Sequence, residues 1–217
     1  MRLNIWVISI IIGALLGIII SFSNVELNTA TLILIVVSVF VILAVPIIRI
    51  IYILRYSHNM QAVEKLLRKL ARTVPYYAAM ADLLDGSVDS AAARMGNINN
   101  DKLRAVIGAN VAFAADRWQE AEQHINQLSH SDAKHVGRAL IRLMQDDLNG
   151  FESAKRLVEH PGFVHALEAN AAFHRGDITK AEEQGELAIQ ATAGLQRYAY
   201  IRYRELRSKQ PDRKTFF

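Results

Sequence analysis

The sequence predicts an all-α chain: an N-terminal transmembrane helical hairpin, then an α-solenoid of three to four helix pairs with a C-terminal capping helix. Three observations predict it. Two uncharged apolar runs of membrane-crossing length open the chain. The remainder is rich in helix formers and free of strand-like alternation. A short alanine- and asparagine-containing motif returns sixty residues after its first copy.

Composition sets the outer limits. Hydrophobic residues make up 52% of the 217 positions, and mean hydropathy is +0.14. That excess is concentrated in the first 55 residues. There is no cysteine, which excludes a disulfide framework, a thiol nucleophile, an iron–sulfur cluster and any cysteine-based zinc site.

Residues 3–22 form the first apolar run and carry no charge. About 20 residues at 1.5 Å rise cross a hydrocarbon core of ~30 Å. Residues 30–48 form the second run, and apolar character continues to Leu54. The short loop 23–29 between them completes a hairpin over residues 1–56. The competing reading of the first run is a cleaved signal peptide. Against it stand the single n-region charge at Arg2, a run longer than about 7–15 residues, and no small-x-small cleavage site.

Basic residues flank the hairpin and avoid its loop, which carries Glu26 alone. By the positive-inside rule both termini lie in the cytoplasm, in a plasma or inner membrane. Arg55, Lys65, Arg68, Lys69 and Arg72 are placed to meet anionic headgroups. Within the first run, Ser9, Gly13, Gly17 and Ser21 recur every four residues. Such a stripe lets helices approach closely in lipid. It serves either packing of the two spans on each other or docking of a second copy, as a homo-oligomer, or of a partner's span.

Residues 57–74 follow as a basic amphipathic segment. Val63, Leu66, Leu67 and Leu70 form an apolar stripe beside its charges. The segment is either an interfacial helix or the first helix of the repeat stack.

The repeats occupy residues 75–208. Ala109-Asn110-Val111-Ala112-Phe113 returns as Ala169-Asn170-Ala171-Ala172-Phe173. Second helices follow with Ala121 and Ala181, again sixty apart. An intermediate copy has Ala139, Leu140 and Leu143, then Phe151 and Ala154, with a turn about three residues longer. A degenerate copy precedes them at residues 76–84, with Gly86, Ala91 and Met95. Residues 195–208 read as the capping helix, and residues 209–217 as a basic tail.

These motifs resemble the tetratricopeptide repeat (TPR), with small residues in mid first helix, a Gly-Asp turn at Gly176-Asp177, and an alanine in the second helix. The copy around Asp116 departs from the pattern by lacking the turn glycine. An N-terminal hairpin followed by degenerate repeats also resembles the N-terminal region of HemY-type membrane proteins. The TPR resemblance implies a concave groove lined by first helices. Peptide contacts would then fall to Asn110, Phe113, Asn170 and Phe173. The alternative for the asparagines is bridging between helices, and for the phenylalanines core packing. A carboxylate-clamp lysine four residues before each asparagine is missing, since Val106 and Ala166 stand there.

Charge is unevenly spread. Residues 75–196 carry 11 basic and 17 acidic side chains, a balance of −6. Residues 197–217 carry seven basic and two acidic ones, a balance of +5. Tyr198, Tyr200 and Tyr203 interleave with arginines there, but a cap packed on the last repeat explains them better than nucleic acid. The tail would fold back against the membrane or an acidic partner surface.

No sequence feature points to an enzyme or a cofactor. Phosphate loops, dinucleotide fingerprints, nucleophile elbows and zinc-protease motifs are missing. No histidine pair has the i,i+3 or i,i+4 spacing of a helical metal site. The expected role is that of a membrane-anchored scaffold for a protein or peptide at the cytoplasmic face. The alternative is a structural subunit of a membrane assembly, recognised through its spans.

Overall fold

A computed structural model describes residues 29–129, 131–210 and 213–217, with side chains from residue 37 onward. Among the described residues the fold is all-α, with eleven α-helices, one 3-10 turn and no strand. The chain divides into two compact units, residues 1–49 and 50–217.

Helix α1 (Thr29–Tyr56) begins in the first unit and ends in the second. Its stretch Val37–Tyr56 has a mean hydropathy of 2.7 and is nowhere buried, so it is long and apolar enough to cross a membrane. The second apolar run is therefore one continuous helix that extends beyond residues 30–48 and passes through Pro46. The first run, its stripe Ser9, Gly13, Gly17 and Ser21, and residues 23–28 of the hairpin loop lie outside the described residues.

The second unit contains α2 (Met60–Ala71), α3 (Pro75–Leu84), α4 (Val88–Arg94), α5 (Asp101–Ala114) and α6 (Trp118–Asn126). It continues with α7 (Asp132–Met144), α8 (Leu148–Lys155), α9 (Pro161–His174), α10 (Ile178–Gln190) and α11 (Gly194–Lys209). The helices pack in consecutive pairs: α3 on α4, α5 on α6, α7 on α8, and α9 on α10.

A period of thirty residues governs these four pairs. Ala79, Ala109, Ala139 and Ala169 are buried in the first helices. Ala91, Ala121, Phe151 and Ala181 are buried in the second. Each first-helix alanine shares a core cluster with its second-helix counterpart. Between the helices, Gly86, Asp116, Asp146 and Gly176 take left-handed φ values of 82°, 55°, 59° and 78°. The following N–H reaches back over the turn each time: Ser87 to Asp82 O, Arg117 to Ala112 O, Asp147 to Arg142 O, and Asp177 to Ala172 O, at 2.8–2.9 Å. This is the Schellman helix end, which pairs two of the late carbonyls of each first helix.

The intermediate copy departs from expectation. Its turn is no longer than the others, because Asp146 holds the left-handed position and α8 starts at Leu148. Phe151, 2% exposed, stands where the other second helices carry alanine. Ala154 lies farther along the helix and is not the counterpart of those alanines.

Helix α2 is the first member of the stack. Its Val63 and Leu67 are fully buried, and the helix packs on α3 and α11. Lys65, Lys69, Arg72 and, at the end of α1, Arg55 remain exposed, whereas Arg68 binds Asp85. Helix α11 follows the expected position of the cap, but it does more than cover the last pair. It packs on α10 and also on α2 and α3, so Tyr198 and Ala199 share a core with Val63 and Ala79. In a simple linear array each repeat touches only its neighbours. Here the last helix meets the first two of its unit.

Two polar devices join successive elements. The Asp132 carboxylate accepts the N–H groups of Glu159 and His160 at 3.0 and 3.1 Å, just ahead of α9. Buried Lys134 donates its ammonium to the carbonyls of Leu128 and Asn126, at 2.8 and 3.3 Å, beyond and at the end of α6.

Candidate functional site

First helices line a groove within the second unit. The residue following each of the regularly spaced alanines faces it: Met80, Asn110, Leu140 and Asn170 all line a cavity of about 300 Å³. Their thirty-residue spacing, inherited from the turns and the buried alanines, aligns them. Tyr76, Tyr200 and Tyr203 complete its aromatic wall. Burial pushes the Tyr76 phenol up to about 12, and raises Tyr200 and Tyr203 as well. These side chains stay neutral at physiological pH.

Asn110 and Asn170 are held alike. Each side-chain Nδ2 donates to the carbonyl four residues earlier, Val106 O or Ala166 O, at 2.8 Å. That bond orients the amide and leaves Oδ1 available as an acceptor. At Asn170 the acceptor is used: the backbone N–H of Phe216 donates to it at 2.9 Å. Asn170 is 3% exposed, so this pairing satisfies a buried polar atom.

The four residues singled out from sequence separate in part. Asn110, Phe113 and Asn170 line the same cavity. Phe113 also packs against Ala109, Ala121 and Ile125, and its ring lies 6.0 Å from that of Trp118. It is both core and wall. Phe173 sits beside the groove, where the Phe216 ring meets it edge-on at 6.0 Å.

The decisive addition is the tail. Residues 213–217 do not lie free as a basic extension. Phe216 is fully buried among Ala169, Ala172 and Ala181. Its ring rests on Gly185 of α10, where a Cβ would come within 2.4 Å of it. The Arg207 guanidinium lies 4.0 Å from the Phe216 ring centre and 5.5 Å from that of Phe173. Phe217 packs on Tyr200 at 4.4 Å and forms part of the cavity wall. Arg213 lies over Tyr203 at 5.1 Å, and burial lowers its guanidinium below the usual range.

Charge follows the same plan. Arg204 reaches Glu186 at 3.0 Å, and Arg207 pairs with Glu182. Lys214 lies 3.7 Å from Asp116. The positive C-terminal stretch thus meets the negative repeats of its own chain.

Gly185, Arg207 and Phe216 belong to the candidate site by their contacts, and sequence reasoning missed them. One signal pointed to them. Two adjacent phenylalanines close an otherwise polar, basic stretch, and such a pair needs a burial site. Among the described residues no group of three histidine or carboxylate side chains is arranged to hold a metal ion.

Compared with protein-family models, curated proteins and solved structures, the chain matches none.

Proposed function

We propose that this chain is a membrane-anchored, TPR-like scaffold whose groove binds an extended protein or peptide segment at the cytoplasmic face. The observation that carries the reading is the Phe216 N–H bond to Asn170. In it a groove asparagine holds a main-chain N–H, here one of its own chain. Further support comes from the aligned positions Met80, Asn110, Leu140 and Asn170 and from the neutral aromatic wall. The thirty-residue helix pairs support a TPR-like α-solenoid. The unburied apolar helix Val37–Tyr56 supports the anchor. With the uncharged run 3–22 it makes a two-span hairpin with both termini cytoplasmic. Confinement at a membrane raises effective concentration, which compensates for the small contact area of four helix pairs.

The test is site-specific photo-crosslinking in intact cells with the full chain. A photoreactive residue replaces Leu140 in the groove or Leu157, which is 57% exposed outside it. A protein adduct from position 140 that is lacking from position 157 is expected. Replacing Asn110 and Phe113 by alanine should remove it. Equal adducts from both positions, or adducts only from a probe at Gly13, would defeat the groove reading and favour a structural subunit recognised through its spans. Because the chain has no cysteine, single cysteines at Ser23 and Ser208 report topology against an impermeant maleimide. Ser208 should label only from the cytoplasmic side and Ser23 only from the opposite one.

A further inference from the structure

Beside the cavity, residues 213–217 pack against Asn170, Gly185 and Tyr200 of the same unit. We propose that the segment around Thr215–Phe216–Phe217 is a displaceable internal ligand of the Asn170 site. The external partner would then be an extended segment carrying adjacent aromatic side chains that competes for the same seat. This inference rests on the scaffold reading above and names both the partner's chemistry and its regulation.

Four independent contacts define the seat. Asn170 Oδ1 accepts a backbone N–H and so reads a main chain rather than a particular side chain. Gly185 leaves a ring-sized space on α10 that Phe216 fills. Arg207 covers that ring and the Phe173 ring from one side, so a cation closes the aromatic slot. Tyr200 supplies the face against which Phe217 lies. A first aromatic therefore enters a closed slot, and the next lies at the mouth of the 300 Å³ cavity. That cavity continues past Phe217 to Asn110, whose Oδ1 accepts no hydrogen bond among the described residues. A longer external segment gains this second asparagine, which the internal one does not use.

The attachment suits displacement. Residues 213–217 hold no helix, and among them only Phe216 makes a backbone bond to a side chain of the groove. A ligand tethered by a few residues has an effective concentration on the order of millimolar. With an intrinsic dissociation constant of about 10 μM for that internal segment, a competing external ligand is weakened about 100-fold.

The experiment uses the full chain in detergent or nanodiscs. The probe is a fluorescein-labelled, C-terminally amidated peptide of residues 209–217, read by anisotropy. The wild-type chain should bind it about 100-fold more weakly than the F216S/F217S chain. Adding Asn170→Ala, or Gly185→Leu to fill the vacated slot, should abolish the gain. Equal binding by wild type and F216S/F217S, or binding that survives Asn170→Ala and Gly185→Leu, overturns the proposal. A second variant covers failure to fold. A specific protease site is inserted between Gln210 and Arg213, and the purified chain is then cut. A ligand-like tail exchanges with labelled peptide while helical content and the melting temperature with peptide present are retained. A cut tail that never exchanges, or whose departure unfolds the helices, is a core element, and the proposal falls. The peptide assay needs no cellular partner, so its failure is distinct from a failed cross-linking experiment.

Discussion

The backbone N–H of Gly194 donates to the carbonyl oxygen of Ser57 at 2.8 Å. This bond ties the start of the last helix to the exit of the apolar helix, inside the second unit. Gly194 sits at φ +56°, and a Cβ there would come within 2.1 Å of the Leu54 carbonyl oxygen. Two penalties then coincide, a left-handed backbone and a collision with main chain that has no flexible end to move. Gly194→Ala should cost about 2–4 kcal/mol. Denaturant unfolding of the full chain in detergent, followed by circular dichroism, measures it. An unchanged midpoint would mean that α11 does not bear on the end of α1.

The repeat turns allow the backbone cost to be isolated. Gly176 lies at φ +78° with nothing within 4 Å of a Cβ position. Gly176→Ala should therefore cost about 1–2 kcal/mol through backbone conformation alone. Gly96 also has open space around its Cβ position but no positive φ, so Gly96→Ala should be neutral or slightly stabilising. Asp116→Gly relieves strain at φ 55° but loosens the unfolded chain, leaving a net change under about 1 kcal/mol. Equal effects from Gly176→Ala and Gly96→Ala would show that the turn conformation is not what these residues supply.

Much of this was legible because small residues carry position-specific demands. Alanines at 109, 121, 169 and 181 mark where the helices of two pairs touch. The sixty-residue spacing therefore located the best copies. The intermediate copy was misaligned because its contact position holds Phe151, so the alanine marker shifted to Ala154. Asp146 likewise hid where the intermediate turn lies, so that turn read as too long, since aspartate tolerates the left-handed region without announcing it as glycine does. Asn110 and Asn170 stand out by their place in the repeat, and both line the cavity. The Phe216 contact does not, because a short aromatic pair has no periodicity. Its seat depends on Gly185 and Arg207, on two other helices. The return of α11 to α2 and α3 is a long-range fact that local patterning does not encode.

Phe151 offers a direct test of the period. It is 2% exposed and packs with Ala139, Leu143 and Leu167. Phe151→Ala restores the residue found at the other three positions, but the surrounding side chains have been sized for a ring. The expected result is a cavity and a loss of about 3–5 kcal/mol. A well-tolerated alanine would mean that the pair can close up to match its neighbours.

Acid should weaken the second unit through the pair that joins α2 to the end of α3. Arg68 donates to Asp85 through both Nη atoms, one bond measuring 2.7 Å, and Arg202 lies 3.6 Å away. The hydrogen bond from Arg68 holds the Asp85 carboxyl below its ordinary range. Burial opposes this, and the charges of Arg68 and Arg202 add to it. A carboxyl whose folded pKa is depressed stabilises the fold above its unfolded value of about 3.9. That contribution is lost as pH falls through the lower folded value. Glu186, held low by Gln190 and then Arg204, acts in the same direction. Both carboxylates are partly solvated, so each effect is modest. Denaturant midpoints at pH 6, 4 and 3 should fall progressively for the wild type. Asp85→Asn should lower the midpoint at pH 6 and flatten the decline below pH 4. Parallel curves for the two chains would mean that the Arg68–Asp85 pair contributes nothing to stability, and that acid acts elsewhere.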